Sequence, residues 1–155
     1  MKRITTLSFF MLFCWITAFA IPRAEYPRPQ FERNAWINLN GEWTYSFDFG
    51  GSGLEREWSK STGFDQKIIV PFCPESKLSG VEYKDFINHM WYHRTISIPQ
   101  DWANKQVLLN FGAVYYKSEI YIDGVFAARH FGGTSSFQVD ITPYVKAGQT
   151  HNLVV

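Results

Sequence analysis

Disulfide capacity is the first thing this sequence lacks: its 155 residues hold two cysteines, Cys14 and Cys73. Cys14 lies in an N-terminal segment that reads as an export signal. One thiol then remains, and one thiol closes no internal bridge. Cys73 is expected to be buried and inert, and a hydrophobic core has to hold the fold together. An excess of one charge is also missing. The chain carries 15 basic and 14 acidic residues, and loss of Lys2 and Arg3 with the export segment leaves 13 against 14. That balance offers no basic footprint for nucleic acid. After residue 20 there is no long helical periodicity. No apolar run reaches the roughly 20 residues needed to span a bilayer.

Signatures of catalysis are missing as well. There is no G-x-S-x-G nucleophile turn, and Gly51-Ser52-Gly53 sits in a flexible stretch. No glycine-rich phosphate loop leads from a strand into a helix. His89 and His93 are four apart, but on a strand that spacing covers about 13 Å. That is too far for one ion, so no metal site is expected. Sugar hydrolysis with retention uses two carboxyl groups about 5–5.5 Å apart. Glu75, Glu82 and Asp85 share one long connection. Glu75 falls in a turn after Pro74, and nothing nearby would make Glu82 and Asp85 a working pair. No catalytic residue and no cofactor are expected within this chain.

What is present begins with residues 1–20. Lys2 and Arg3 precede a mostly apolar stretch from Leu7 to Phe19, and Ala18-Phe19-Ala20 forms a small-x-small cleavage site. This is the pattern of a secretory signal peptide cut after Ala20, which sends the protein to the periplasm or outside. Phe13 before Cys14 argues against a lipidated cysteine, so no membrane attachment is expected after cleavage. Residues 21–35 form an extended arm, because three prolines and no apolar period oppose helix or central strand.

From residue 36 to 155 the pattern is β. Over Glu42–Asp48, Trp43, Tyr45 and Phe47 alternate with Glu42, Thr44, Ser46 and Asp48. Short strands follow at Lys67–Val70, Met90–Ile98 and Gln106–Phe111. Glu119–Asp123 and Val125–His130 form a hairpin whose Asp123-Gly124 turn suits φ > 0. Ser136–Ile141 alternates with Phe137, Val139 and Ile141 inward. One helical turn is expected at Leu54–Ser59. Another should be capped by Thr142 and ended by Gly148. Asn152–Val155 restarts a strand, and its open apolar edge suggests a longer parent chain. Short strands with turn signals between them predict an all-β antiparallel sandwich. Aromatics make up 18% of the chain, an excess expected to fill mostly core.

Several segments carry a family resemblance. Asn38-Leu-Asn-Gly-Glu-Trp43, Val70-Pro-Phe-Cys-Pro-Glu-Ser76, Leu78-Ser-Gly80 and Trp91-Tyr-His-Arg94 with Ile98-Pro99 come first. Leu109-Asn-Phe-Gly-Ala-Val114, Ile120-Tyr-Ile-Asp-Gly124, His130-Phe-Gly-Gly133, Phe137 and Asp140-Ile-Thr142 follow in order. Together they resemble the first domain of family 2 glycoside hydrolases, nearest the β-glucuronidase and β-galactosidase branches. Thr134-Ser-Ser136 departs from the aromatic-proline pair usual in that family. The resemblance implies a jelly-roll, galactose-binding-domain-like sandwich acting on carbohydrate. It also implies immunoglobulin-like and TIM-barrel domains downstream, with both catalytic glutamates in the barrel. The first domain of this family lends loop residues to the substrate pocket, and by position the 81–91 loop would do so through Asp85, Asn88 and His89. Trp91 is expected in the core and Arg94 in an ion pair. A free-standing carbohydrate-binding module and a purely structural interaction domain are the alternatives.

Export gives the first prediction. Expression in a secreting host should yield a mature protein whose N-terminal sequence starts at Ile21. Edman sequencing that reads from Met1 on exported protein would overturn the signal-peptide reading.

Overall fold

Alternation and β-branching set the strands, and eight of them form. A computed structural model describes residues 21–155 except Pro29 and Phe31, so the expected signal peptide lies outside the described residues. The strands are β1 (Gly41–Phe47), β2 (Gln66–Val70), β3 (Met90–Ser97) and β4 (Leu108–Phe111), then β5 (Lys117–Ile122), β6 (Val125–Phe131), β7 (Phe137–Asp140) and β8 (Thr150–Val154). All pairings are antiparallel. One sheet has six strands in the order β2-β1-β3-β8-β5-β6, and the second pairs β4 with β7. The all-β sandwich expected from the sequence is the architecture observed.

The two sheets meet through their alternating inner faces. Ile68, Ile96, Ile120, Ile122 and Leu153 of the large sheet pack with Leu109 and Val139 of the small one and with Val107 and Ile141 beside it. Trp43 and Tyr45 close this cluster, but aliphatic side chains form its centre. The aromatic excess divides: Phe47, Tyr92, Trp102, Phe111, Phe137 and Tyr144 pack against this cluster, whereas Phe49, Phe86, Tyr115, Tyr116, Phe126 and Phe131 are exposed. A two-stranded second sheet offers too little inner surface to bury so many rings.

Turn chemistry matches the hairpin expectation. Asp123 and Gly124 both have positive φ, 48° and 81°. A Cβ on Gly124 would also come within 2.6 Å of Lys60 Cγ. Asp123 then ties the hairpin to β8. Its carboxylate accepts from Asn152 N at 2.8 Å and from His151 Nδ1 at 2.6 Å. Lys146 N donates to His151 Nε2 at 3.0 Å, so that nitrogen is an acceptor and the ring proton sits on Nδ1.

Both edges of the large sheet are blunted. Lys67 on β2 pairs with Glu42 across the strand at 2.8 Å. A register shift between Ile120 and Tyr121 leaves Ala127 of β6 without an opposite residue. Edge lysines and bulges of this kind discourage strand addition.

Four expectations need correction. Cys73 is exposed, because the chain leaves the sheet after β2 and turns at Cys73–Ser76, with Ser76 N donating to Cys73 O at 3.0 Å. Arg94 forms no ion pair among the described residues. Its Nη1 donates to the carbonyls of Leu39, Asn40 and Glu42 at 2.8, 3.1 and 3.3 Å, groups at the entry to β1. The turn near residue 54 is a 3-10 turn at Trp58–Lys60. Thr142 sits inside a second 3-10 turn, Thr142–Tyr144, rather than capping it. Its hydroxyl accepts from Val107 N at 2.8 Å, and the capping role falls to Asp140, whose Oδ1 accepts from Thr142 N at 2.9 Å.

Packing sets the second prediction. Leu153 is 0% exposed at the sheet–sheet junction, so Leu153→Ala should cost about 3 kcal/mol in urea unfolding. Val125, 55% exposed on β6, should tolerate Val125→Ala within about 0.5 kcal/mol.

Candidate functional site

Strand register brings one set of segments to the same end of the large sheet. Phe47 pairs with Met90, so the end of β1 lies beside the start of β3. Tyr92 and Val155 exchange both backbone hydrogen bonds, at 2.8 and 2.9 Å, which carries the end of β8 to the same place. The turn after β1 and the 81–89 segment before β3 therefore face each other.

Asp48 joins them. It is 5% exposed at the end of β1. Its carboxylate accepts from Ser52 N at 3.0 Å, Gly53 N at 2.8 Å and Trp91 Nε1 at 3.0 Å. Its own N–H donates to His89 O at 2.9 Å. Burial alone would raise this carboxyl's pKa, but the backbone donors, the indole and the nearby His89 together hold it below its usual value. Gly53 has no room for a side chain, since a Cβ there would lie 2.4 Å from Trp91 Nε1.

Trp91 departs from its expected core position. It is half-buried on the outer face of the large sheet, stacked on Tyr121 and edge-on to Trp58, each with ring centroids 6.1 Å apart. Position in the strand decides this: His93, two residues on, faces the same way, while Tyr92 and Arg94 point inward.

The three expected pocket residues separate. Asn88 and His89 stand beside the Phe49–Gly51 turn. Asn88 Nδ2 reaches Phe49 O at 3.5 Å, and the His89 ring lies 3.4 Å from where a Cβ on Gly51 would be. Both side chains remain exposed. Asp85 is exposed too, but it makes no side-chain hydrogen bond to a described residue. Phe47, Phe49 and Tyr83 cluster behind this rim, with centroid separations of 4.7 to 6.0 Å, and Phe86 projects from it at 82% exposure.

Such a rim can stack and hydrogen-bond a ligand. Its one buried carboxylate is fully occupied by donors, so it offers no proton-transfer pair. Among the described residues no three His, Cys, Asp or Glu side chains gather to hold a metal. His93 spends both ring nitrogens on hydrogen bonds, Nδ1 with Thr44 Oγ1 at 3.3 Å and Nε2 with Asn152 Oδ1 at 3.0 Å. Sequence reasoning missed Asp48, Phe49 and Tyr83. An aspartate followed closely by Gly50-Gly51-Ser52-Gly53 is an Asx-turn composition, and that signal was available for Asp48.

Comparison with known proteins places this geometry. Residues 37–155 match the family described as glycosyl hydrolases family 2, sugar binding domain. Feline β-glucuronidase is 30% identical over 135 residues, covering 79% of this chain and 20% of that protein. A β-galactosidase of Thermoanaerobacter pseudethanolicus is 26% identical over 130 residues, covering 76% of this chain and 16% of its own length. The structure of Ruminococcus gnavus β-glucuronidase with a C6-substituted uronic isofagomine superposes with a TM-score of 0.68 at 26% identity, over 75% of this chain and 20% of that one. The chain thus spans a sixth to a fifth of the length of these relatives, 16% to 20%.

The Asp48 cluster yields the third prediction. Asp48→Asn turns an acceptor toward two backbone N–H groups and an indole into a partial donor, and should cost about 2 kcal/mol at pH 7. The folded carboxyl is harder to protonate than the unfolded one. Its contribution is therefore full above the unfolded pKa and is lost as pH falls through the lower folded value. Urea unfolding should show the gap between wild type and Asp48→Asn closing in acid; a gap that stays constant there would exclude the carboxylate as its cause.

Proposed function

Because this chain belongs to glycosyl hydrolase family 2, as its sugar-binding domain, we propose that it forms one wall of the substrate pocket in an exported enzyme that hydrolyses β-linked glycosides. The observation that carries the reading is the rim at the end of the large sheet. Asn88 and His89 are exposed there yet held beside the Phe49–Gly51 turn by a backbone that Asp48 anchors. Preorganised polar groups of this kind recognise sugar hydroxyls without losing much conformational freedom on binding. Asp85 serves as an additional, exposed acceptor on the same loop.

Chemistry in this proposal belongs to a TIM barrel elsewhere in the parent chain, after an immunoglobulin-like domain. Two barrel glutamates act there as acid/base and nucleophile of a retaining mechanism. The domain described here orients the sugar and excludes water on one side. Proximity of this kind contributes to rate by fixing the reacting bond, without any group here touching it. Relatives named β-glucuronidase and β-galactosidase support β-linked hexosides as the substrate class.

Residues 21–155 expressed alone should release no nitrophenol from nitrophenyl β-D-glucuronide or β-D-galactoside. Turnover that persists through purification would place a carboxylate pair inside this domain and overturn the proposal.

A further inference from the structure

A second sugar-sized feature lies at the β1–β2 edge of the large sheet, where Tyr45 and Phe47 also reach its floor. A groove of about 480 Å³ opens between the end of β1 and the 56–66 segment. Phe49, Trp58 and Phe64 give it aromatic walls, and Arg56, Asp65 and Gln66 line its mouth. Trp58 is half-buried and fixed edge-on to Phe64, with centroids 5.6 Å apart. The Arg56 guanidinium lies over the Trp58 ring, 4.1 Å from its centroid. Trp58 is also held from below by its contact with Trp91, whose indole Asp48 anchors.

Beyond the contact of Arg56 with the Trp58 ring, the polar groups at the mouth are unpaired among the described residues. Arg56, Asp65 and Gln66 make no side-chain hydrogen bond or ion pair with a described residue, and all three are exposed. Arg56 supplies only donors, Asp65 only acceptors and Gln66 both. A hydroxyl both donates and accepts, so a ring carrying several of them suits this mixture. A lipid tail would leave the charges unsatisfied, and a simple anion would meet Asp65 as well as Arg56. Arg56 covers one face of Trp58, so the C–H face of a pyranose fits the Phe49 and Phe64 walls beside it, and its hydroxyl edge fits the mouth. Small-ligand sites combine an apolar lining with a few convergent polar groups in this way.

We infer that this groove is a pyranose-binding subsite, separate from the Asn88–His89 rim and placed to hold a further sugar unit of a glycan. Phe49 borders both features: its carbonyl meets Asn88 and its ring lines the groove. The inference rests on the carbohydrate-binding role proposed above, but it concerns different side chains.

Fluorotryptophan labelling of the intact protein tests it, with the Trp58 resonance identified by its loss in Trp58→Phe. Titration with D-galactose, D-glucuronic acid and xylotriose should move that resonance saturably for at least one probe. Arg56→Ala, an exposed substitution that removes no core contact, should raise the midpoint about tenfold. Lys105→Ala, an exposed substitution outside the groove lining and the rim, should leave it unchanged. Saturable binding by calorimetry without movement of Trp58, or no binding of any probe, would overturn the groove assignment. Hydrolysis of nitrophenyl glycosides by the intact protein reads the enzymatic proposal independently of either result.

Discussion

A buried carboxylate must find donors or fold poorly, and Asp48 finds three at one place. Two come from the backbone of the glycine-rich turn that follows β1, and the third is the indole of Trp91 on β3. A fourth bond runs the other way, from its own N–H to the carbonyl of His89. These contacts bind a loop, a strand start and the 81–89 segment to the end of β1. The rim residues Asn88 and His89 and the groove residue Trp58 both depend on them, the first through backbone and the second through Trp91. Charge-assisted bonds in a site shielded from water are among the stronger polar interactions available to a protein.

The sandwich makes room for this arrangement by being lopsided. Six strands face two, so only part of the large sheet's area is covered by the small one. Aliphatic residues fill the covered part, where interdigitation favours branched side chains. Some aromatic residues border that part, and others gather on the outer face and at the loop end. Trp58, Phe64, Trp91 and Tyr121 form a linked layer outside the sheet, with the 49–65 segment folded over it. Stiff rings that are only half buried keep a shape and still present a surface. That property suits a domain whose family is defined by sugar binding rather than by chemistry of its own.

Much of the fold could be read along the chain. Strand positions, the Asp123-Gly124 turn and the inward faces of β1, β4 and β7 follow from alternation and turn chemistry, both of which act over a few residues. Most misreadings of single side chains were of one kind. Trp91, Arg94 and Thr142 were each assigned from residue type, and each was decided by a partner far away in sequence, whereas Cys73 is exposed by a local turn. Arg94 meets carbonyls more than 50 positions earlier, and Thr142 serves the N–H of Val107, just before β4. Residue type says what bonds a side chain can make, not which unpaired group will lie within reach.

The site was legible only as a region. Position within the family pattern pointed to the 81–91 loop, and Asn88 and His89 do stand together there, while Asp85 does not join them. Asp48 read as one more polar residue on an alternating strand. By itself the sequence determined which residues alternate and where the chain turns, because those properties depend on neighbours. Tertiary structure alone decided that a carboxylate 43 positions from Trp91 would become its partner, and that rings from separate segments would line one groove. Such contacts are set by register across strands distant in sequence, and no local pattern encodes that distance.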